Sequence, residues 1–278
     1  MLKLELSNKY ITTERPAFVM GIVNVTPDSI WEGSRSGADM ALKMFEEGAD
    51  IVDIGGESSR PGSDYVSAQE ECERIIPVIT EIRKHTDKPI SVDTRKLSVM
   101  QEARKAGADI VNDISALEDS PELADYCASE KMPIILMHKR GIPVIMQENT
   151  EYANPVNEIS AYLIGRAKYA IEHGIDAKKI ILDTGIGFGK NLDTNIKLIQ
   201  ASQKIIDAIH QAGIPEVQHI LMALSRKSCI GEITGKKVED RMVGTLAANL
   251  LAVQYGATML RVHDVSETID MLAVLGRI

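Results

Sequence analysis

Short apolar runs alternate with longer amphipathic stretches along most of the chain. The runs are rich in Ile, Val, Leu and Met, which is typical of parallel strands that are buried on both faces. The stretches between them carry apolar residues at helical spacing. We therefore predict eight strands, over residues 18–25, 51–54, 90–94, 110–113, 134–138, 180–182, 219–224 and 259–264.

Helices are predicted between these strands, and several have recognisable ends. Gly48, Gly107 and Gly256 each precede an apolar run, where Gly is the expected residue after a helix C-terminus. Ser67 is predicted to cap one helix in a capping box with the Glu three residues later. Helices are predicted over 36–47, 96–106, 156–173 and 238–255. Further helices are predicted to begin after Ser67, with a kink at Pro77, and at Pro121. One helix is predicted to end near residue 212, and a short one closes the chain.

Eight strand–helix units in 278 residues are typical of an α/β fold of the (β/α)8 TIM barrel type. Residues 2–14 predict a short N-terminal strand or hairpin ahead of the barrel. No linker or change of composition divides the chain, so we predict one domain over residues 1–278. An open, doubly wound sheet is the alternative architecture.

The net charge and the cysteines argue against some classes of protein. The net charge is −9, which argues against a nucleic-acid-binding protein and against a basic membrane-surface protein. The three cysteines are far apart, with no zinc spacing or disulfide framework, which predicts a cytoplasmic protein. Charged residues at the N-terminus interrupt the apolar core that a signal peptide needs, and no apolar stretch is long enough to span a membrane.

Polar residues stand at or just past most of the predicted strand ends. One Asp after a strand is usually a helix cap, but Asp or Asn at three strand ends is harder to explain by capping. In a barrel these ends meet on one face, where active sites form. The residues are Asn24, Glu57, Ser59, Arg60, Asp93, Asn112, His138, Asp183, Lys227, Arg261 and His263.

A glycine-rich stretch, 183–190, follows the sixth strand and reads DTGIGFGK. It lacks the glycine spacing of a phosphate-binding P-loop, and Lys190 stands where a dinucleotide fingerprint requires Gly. Its three glycines predict a close approach of the backbone to a ligand, and its carboxylate, Asp183, faces the same end of the barrel as the other polar residues.

The residue types indicate two neighbouring ligand groups. Asp93, Asn112, Asp183 and Lys227 suit a flat heterocycle with alternating donors and acceptors, and Met137 and Phe188 would supply apolar walls. The second group suits an anion such as pyrophosphate, which Arg binds well. It comprises Asn24, Ser59, Arg60, Arg261 and His263. The alternative for Arg261 and His263 is an ion pair with a neighbouring acid such as Asp264.

Eight segments, in order along nearly the whole chain, carry a family resemblance. They are GIVNVTPDS at 21–29, DIGGESSRPG at 53–62, SVDTR at 91–95, ND at 112–113, MH at 137–138, DTGIGFGK at 183–190, SRKS at 225–228 and RVH at 261–263. Together they resemble the dihydropteroate synthases, a family of folate-pathway enzymes. The resemblance implies condensation of 6-hydroxymethyl-7,8-dihydropterin pyrophosphate with p-aminobenzoate, with Mg²⁺ required. It also implies inhibition by sulfonamides and a homodimer. Helix 238–255 could provide the dimer interface, or it could equally face the barrel.

The resemblance also implies a role for each matching residue. Asp93, Asn112, Met137, Asp183, Phe188 and Lys227 would contact the pterin, and Asn24, Ser59, Arg60, Arg261 and His263 the pyrophosphate. Asn24 would also bind the metal, and Ser228 and Pro61 would contact p-aminobenzoate. Asp93, Asp183, Lys227, Arg261 and His263 would be the catalytic residues. The loops 26–35 and 57–66 would close over the substrates.

Some positions depart from the family pattern. Thr184 stands where the family has Pro, and Ile30 and Trp31 change the first loop. Two other functions remain open: a methyltetrahydrofolate:corrinoid methyltransferase on the same fold, and a pterin-binding paralogue without activity. The first would need neither the SRKS segment nor the loop after Asn24, and the chain has both.

Overall fold

The protein is a closed barrel of eight parallel strands, as the sequence predicts. In the computed structural model, residues 1–25, 34–58, 63, 65–141 and 146–278 are described. The strands are β1 Leu2–Glu5, β2 Tyr10–Thr13, β3 Phe18–Asn24, β4 Ile51–Gly55, β5 Ile90–Asp93, β6 Ile110–Asp113, β7 Ile134–Met137, β8 Ile180–Asp183, β9 His219–Met222 and β10 Met259–Val262. Around the barrel they follow the order β10-β3-β4-β5-β6-β7-β8-β9, and a separate hairpin pairs β1 with β2.

Helices surround the barrel and bury their apolar faces against it. Within the described residues the α-helices are α1 Ser34–Glu46, α2 Ala68–Arg83, α3 Leu97–Ala106, α4 Leu123–Ser129, α5 Pro155–Glu172, α6 Leu192–Ile199, α7 Ser202–Gln211, α8 Ser228–Thr234, α9 Met242–Gln254 and α10 Val265–Leu275. Short 3-10 helices occupy Ala177–Lys179 and Val238–Asp240. None of the helices that these residues form is long and apolar enough to cross a membrane.

The N-terminal hairpin closes one end of the barrel. Leu4 and Leu6 pack in one buried cluster with Phe18, Met20 and Ile51, which lie at the beginnings of their strands. His219 is also buried there and shares a hydrogen bond of 2.9 Å between its Nε2 and the carbonyl oxygen of Lys3. Among the described residues, the end with the strand N-termini is therefore filled, and the end where the strands finish is the one that can receive a ligand.

Several local predictions are confirmed. The glycines after three helices have left-handed backbone conformations, with φ of 105° at Gly48, 115° at Gly107 and 100° at Gly256. At the N-terminus of α2 the Ser67 hydroxyl accepts a hydrogen bond from the amide of Glu70. The capping box is only half formed, because the Glu70 carboxylate pairs with the buried Arg74 instead of the cap backbone. The helix runs from Ala68 to Arg83 through Pro77.

The segment after β8 differs from its prediction. One helix reaching residue 212 was expected, but α6 ends at Ile199 and α7 begins at Ser202. The break allows the amide of Gln203 to donate to the carbonyl of Tyr255 at 2.8 Å, which ties α7 to the end of α9. Neither Gly nor Pro marks the break, and apolar residues continue through it at helical spacing. The start of α4 also differs from the prediction: the helix begins at Leu123, two residues after the predicted start at Pro121.

Candidate active site

Arg261 lies at the centre of an ion-pair network at the open end of the barrel. Its Nε donates to Asp53 Oδ2 at 2.6 Å and its Nη2 donates to Asp93 Oδ2 at 2.9 Å. Asn112 donates from Nδ2 to the same Asp53 oxygen at 3.0 Å. The side chains of β4, β5, β6 and β10 thus converge in one network. Nη1 of Arg261 donates to none of the residues described and can therefore donate to an anionic ligand.

The orientation of Asn112 follows from its partner. Asp53 is fully buried and its Oδ2 pairs with Arg261, so this oxygen accepts hydrogen bonds and the amide nitrogen of Asn112 faces it. Asn112 therefore presents its carbonyl oxygen elsewhere in the site. It lies beside Asp93 in the register of the strands, and Asp93 lies beside Gly55.

Burial changes the protonation of Asp93. It raises the pKa of this carboxyl to about 7, against the attraction of Arg261, while the negative charges of Asp53, Glu71 and Asp113 raise it further. The pKa of Arg261 is raised by Asp53 and Asp93, although burial opposes this. Asp93 is therefore a carboxylate that can gain a proton near neutral pH.

Asp183 and Lys227 are buried groups of opposite charge type that influence each other electrostatically. Asp183 is 5% exposed and its Oδ1 accepts the amide hydrogen of Gly185 at 2.7 Å. Burial raises the pKa of Asp183, and the charge of Lys227 opposes this. Burial lowers the pKa of Lys227 to about 8, with Asp183 opposing. Each group thus favours the charged form of the other.

An apolar wall borders these charges. Met137 and Phe188, both predicted as walls, pack in one buried cluster with Ile114 and Met146. The Nζ of Lys227 lies 4.4 Å from the centre of the Phe188 ring, a cation–π contact. The site therefore combines a flat apolar surface with donors and acceptors, as binding of a planar heterocycle requires.

The glycines of the 183–190 stretch serve a different purpose from the one predicted. All three have positive φ, of 67° at Gly185, 85° at Gly187 and 66° at Gly189. A Cβ on Gly185 would lie 1.9 Å from the carbonyl oxygen of His138, and one on Gly189 would lie 2.7 Å from that of Arg140. These two glycines make room for the backbone after β7. Only Gly187 lies beneath a side chain of the site, that of Lys227.

Gly185→Ala should destabilise the fold by about 3 kcal/mol, because a left-handed Ala is strained and its Cβ would overlap a backbone oxygen. Thermal unfolding should begin about 5 to 10 °C lower. Gly213→Ala is the matched control: Gly213 has a φ of 89° but open space around its Cβ position. Equal losses of melting temperature in the two variants would contradict the close-packing explanation.

Lys190 joins the glycine-rich stretch to the end of β7. Its Nζ lies 2.9 Å from Nδ1 of His138, 3.2 Å from the carbonyl oxygen of that residue and 2.9 Å from the carbonyl oxygen of Phe188. Burial lowers the pKa of Lys190 to about 7 and that of His138 to about 3. His138 also packs edge-on against Tyr162. It is therefore a buried partner of Lys190 within the wall.

Thr184, where the family has Pro, is fully buried. Its hydroxyl lies 3.7 Å from the sulfur of Met222 on the neighbouring strand β9 and donates to it. The side chain thus fills space and makes one weak hydrogen bond behind the site.

Of the residues predicted to bind an anion, Asn24, Arg261 and His263 lie within the described part of the structure. Asn24 is exposed at the end of β3, and a Cβ on Gly55 would lie 3.9 Å from its Oδ1 and 3.5 Å from Cβ of Asp93. His263 has its Nδ1 2.9 Å from the hydroxyl oxygen of Ser225. The alternative of an ion pair with a neighbouring acid is confirmed for Arg261, which pairs with Asp53 and Asp93. Asp264, the acid given as an example, pairs with Arg226 at 2.5 Å instead.

Some predicted residues cannot be placed. Ser59, Arg60 and Pro61 lie outside the described residues, as do Ile30, Trp31 and most of the two predicted closing loops. Ser228 is exposed at the first position of α8, directly after Lys227. Its position agrees with a role at the rim of the site.

Asp53 was missed as a site residue. It is the only charged residue in the apolar run of β4, and it lies in the middle of the strand, where it contacts both Arg261 and Asn112, instead of at a strand end. A buried charge within an apolar strand was the available signal, since such charges need partners.

Comparisons with known proteins agree with this geometry. Residues 20–263 match the model of a family described as pterin binding enzyme. The chain is 43% identical to the dihydropteroate synthase of Haemophilus influenzae, over 98% of each chain. It is 39% identical to that of Escherichia coli, over 92% of this chain and 90% of the other.

Solved structures show the same similarity. A dihydropteroate synthase of Xanthomonas albilineans with 4-aminobenzoic acid has a TM-score of 0.87 at 40% identity, over 98% of this chain and 96% of the other. The same enzyme in complex with 7,8-dihydropteroate has a TM-score of 0.83 at 38% identity, over 98% and 97%. A Yersinia pestis enzyme with a sulfonamide drug complex has a TM-score of 0.89 at 34% identity, over 99% and 98%.

Proposed function

The chain belongs to the dihydropteroate synthase family of pterin-binding enzymes, and from this we propose the reaction and the division of labour among its residues. It is a transferase of folate biosynthesis. It condenses 6-hydroxymethyl-7,8-dihydropterin pyrophosphate with p-aminobenzoate to give 7,8-dihydropteroate and pyrophosphate. The related Xanthomonas albilineans enzyme has been solved with the acceptor substrate and with the product.

One observation carries the assignment of the pterin site: three carboxylates, an amide, a lysine and an arginine converge beside an apolar wall. Asp93 and Asp183 would accept hydrogen bonds from the amino and ring N–H groups of the pterin. Asn112 would present its carbonyl oxygen, and Lys227 would donate. Met137 and Phe188 would pack against the ring.

The pyrophosphate is proposed to lie at the rim, near Arg261. Its free Nη1 would donate to the departing phosphate oxygens while Asp53 and Asp93 hold the guanidinium in place. His263 and Asn24 stand nearby at strand ends, and Ser59 and Arg60 would complete the group. Positive charge placed where negative charge develops stabilises the transition state for departure.

Mg²⁺ is proposed as the metal. No cluster of three or more His, Cys, Asp or Glu within the described residues could hold a metal ion. Asn24 offers one exposed amide oxygen, which fits an ion that keeps several waters and binds mainly through substrate phosphates. When bound with the pyrophosphate, Mg²⁺ would neutralise charge on the leaving group.

The chemistry needs no covalent enzyme intermediate. Departure of pyrophosphate leaves a methylene cation conjugated with the pterin, and the anionic Asp93 and Asp183 favour that cation. The amine of p-aminobenzoate then attacks, with its carboxylate proposed near Ser228 and Pro61. Cys229 is a poor nucleophile candidate, because it is 1% exposed and burial raises the pKa of its thiol.

The rate should depend on pH in a bell-shaped way. Protonation of Asp93, with its pKa raised to about 7, should lower kcat/KM for the pterin substrate as the pH falls. Deprotonation of Lys227, with its pKa lowered to about 8, should lower it as the pH rises. Lys227→Arg stays charged and should flatten the alkaline limb alone. Steady-state rates across the pH range test this, and a level profile through both pKa values would contradict it.

Homodimer formation and sulfonamide inhibition are also proposed. Apolar side chains are exposed on and around α9, among them Val243, which is 72% exposed, Val238 at 51% and Leu251 at 43%. They would provide a self-complementary face. The complex of the related Yersinia pestis enzyme with a sulfonamide supports the inhibition. The cytoplasmic location stays a prediction from the sequence.

Product analysis distinguishes the three functions considered. With both substrates and Mg²⁺, mass spectrometry should detect 7,8-dihydropteroate. A paralogue without activity would bind the pterin and form no product. A methyltransferase would instead consume methyltetrahydrofolate, which is not expected because the chain has the SRKS segment, for which such an enzyme has no need.

A further inference from the structure

Asp53 is a charged residue in a part of the barrel that normally holds apolar side chains. It is the third residue of β4 and none of its surface is exposed. Burying a carboxylate is costly unless it is paired and hydrogen-bonded. The position therefore needs a reason beyond packing.

Its contacts supply that reason. Oδ2 accepts from Nε of Arg261 at 2.6 Å and from Nδ2 of Asn112 at 3.0 Å. These partners come from β10 and β6, which are not neighbours of each other in the barrel. Asp53 thus holds two side chains of the candidate site, although it is itself fully enclosed.

We propose that Asp53 is a positioning residue for this reaction, holding Arg261 against the pyrophosphate and fixing Asn112 with its carbonyl oxygen toward the pterin. The inference rests on the proposed function. Asp53 would touch neither substrate, and it would act through the geometry and charge of the residues above it.

The charge of Asp53 also reaches Asp93. The charged groups around Asp93 are Arg261 on β10, Asp53 on β4, Glu71 on α2 and Asp113 on β6, with Lys227 across the site. After burial and the opposing attraction of Arg261, the negative charge of Asp53 is the largest of the carboxylate contributions that raise the pKa of Asp93. Removing that charge should therefore lower the pKa of Asp93 from about 7.

Two variants separate geometry from charge. In Asp53→Asn the amide oxygen can still accept from Arg261 and Asn112, and the amide nitrogen replaces Oδ1, which has no partner within the described part of the chain. In Asp53→Ala both hydrogen bonds are lost. Asp50→Asn is the matched control, because Asp50 lies just before β4, pairs with Arg15 at 2.6 Å and is at the closed end of the barrel.

The affinity of each variant for the pterin pyrophosphate is then measured by calorimetry. The titration of Asp93 is followed by carboxyl carbon NMR. Asp53→Ala should weaken pterin binding about ten- to a hundredfold. Asp53→Asn should bind within a few-fold of the wild type but titrate Asp93 at lower pH, with the acidic limb of kcat/KM moving equally. Asp50→Asn should change neither quantity.

Wild-type affinity in Asp53→Ala, or an unchanged Asp93 titration in Asp53→Asn, would overturn the inference. Absence of turnover in the wild type would instead count against the proposed reaction. The NMR titration needs no turnover and tests the inference in either case, including when Asp53→Ala fails to fold.

Discussion

Asp183→Asn should weaken binding of the pterin substrate about a hundredfold. Asp183 is buried, and one of its oxygens is used by the amide of Gly185 at 2.7 Å. The Asn oxygen would keep that bond, so its NH2 group would face the N–H donors of the pterin. A donor would then replace an acceptor, and the site would also lose the negative charge that favours the cationic ring.

The loss would extend to Lys227. Asp183 opposes the fall of the pKa of Lys227, so its removal should lower that pKa further below about 8. Lys227 would then be partly neutral at physiological pH and donate less strongly. Calorimetry with the pterin pyrophosphate measures the affinity. Asp193→Asn is the control, since the side chain of Asp193 is 72% exposed and pairs with Lys197. Wild-type affinity in Asp183→Asn would remove this residue from the pterin site.

Arg261→Ala should lower kcat by about a hundred- to a thousandfold, because it removes the fixed positive charge beside the departing pyrophosphate. Pterin binding should fall less, since Asp93, Asn112 and Asp183 remain. Single-turnover rates measure the chemical step, and calorimetry measures the affinity for the pterin. Equal losses of kcat and of pterin affinity would make Arg261 a ground-state binding residue only.

The variant also leaves two buried carboxylates, Asp53 and Asp93, without their cation, and removing one partner of a buried pair costs about 3 to 5 kcal/mol. Arg261→Lys keeps the charge but cannot reach both carboxylates with one fork, so it should retain part of the stability and less of the rate. Arg83→Ala is the stability control. Its side chain is 18% exposed, against 16% for that of Arg261, and its guanidinium also pairs with a carboxylate, that of Asp109.

The barrel could be predicted from the sequence because its eight strands are apolar runs separated by amphipathic helices, a pattern that burial on both faces imposes. The strand ends could be predicted for the same reason, and Asp93, Asn112, Asp183 and Lys227 all lie where expected. The division between α6 and α7 could not be, because it depends on a contact between Gln203 and Tyr255, which are distant in the sequence.

Parts of the site could not be predicted from the sequence either. The sequence places Arg261 at a strand end but cannot show that its partners are Asp53 and Asp93, which lie 208 and 168 residues away. The glycines of the 183–190 stretch indicate close approach, yet only the fold shows that the approaching group is the backbone of His138. Long-range pairing, not local pattern, decides both.

The most direct test is the release of pyrophosphate by the purified protein, measured with both substrates in the presence and absence of Mg²⁺. The wild type should release pyrophosphate and form 7,8-dihydropteroate in equal amounts, with the rate falling when Mg²⁺ is removed. Asp183→Asn should need a much higher pterin concentration for the same rate. Tight pterin binding by the wild type without any pyrophosphate release would contradict the proposed enzyme and leave a pterin-binding protein.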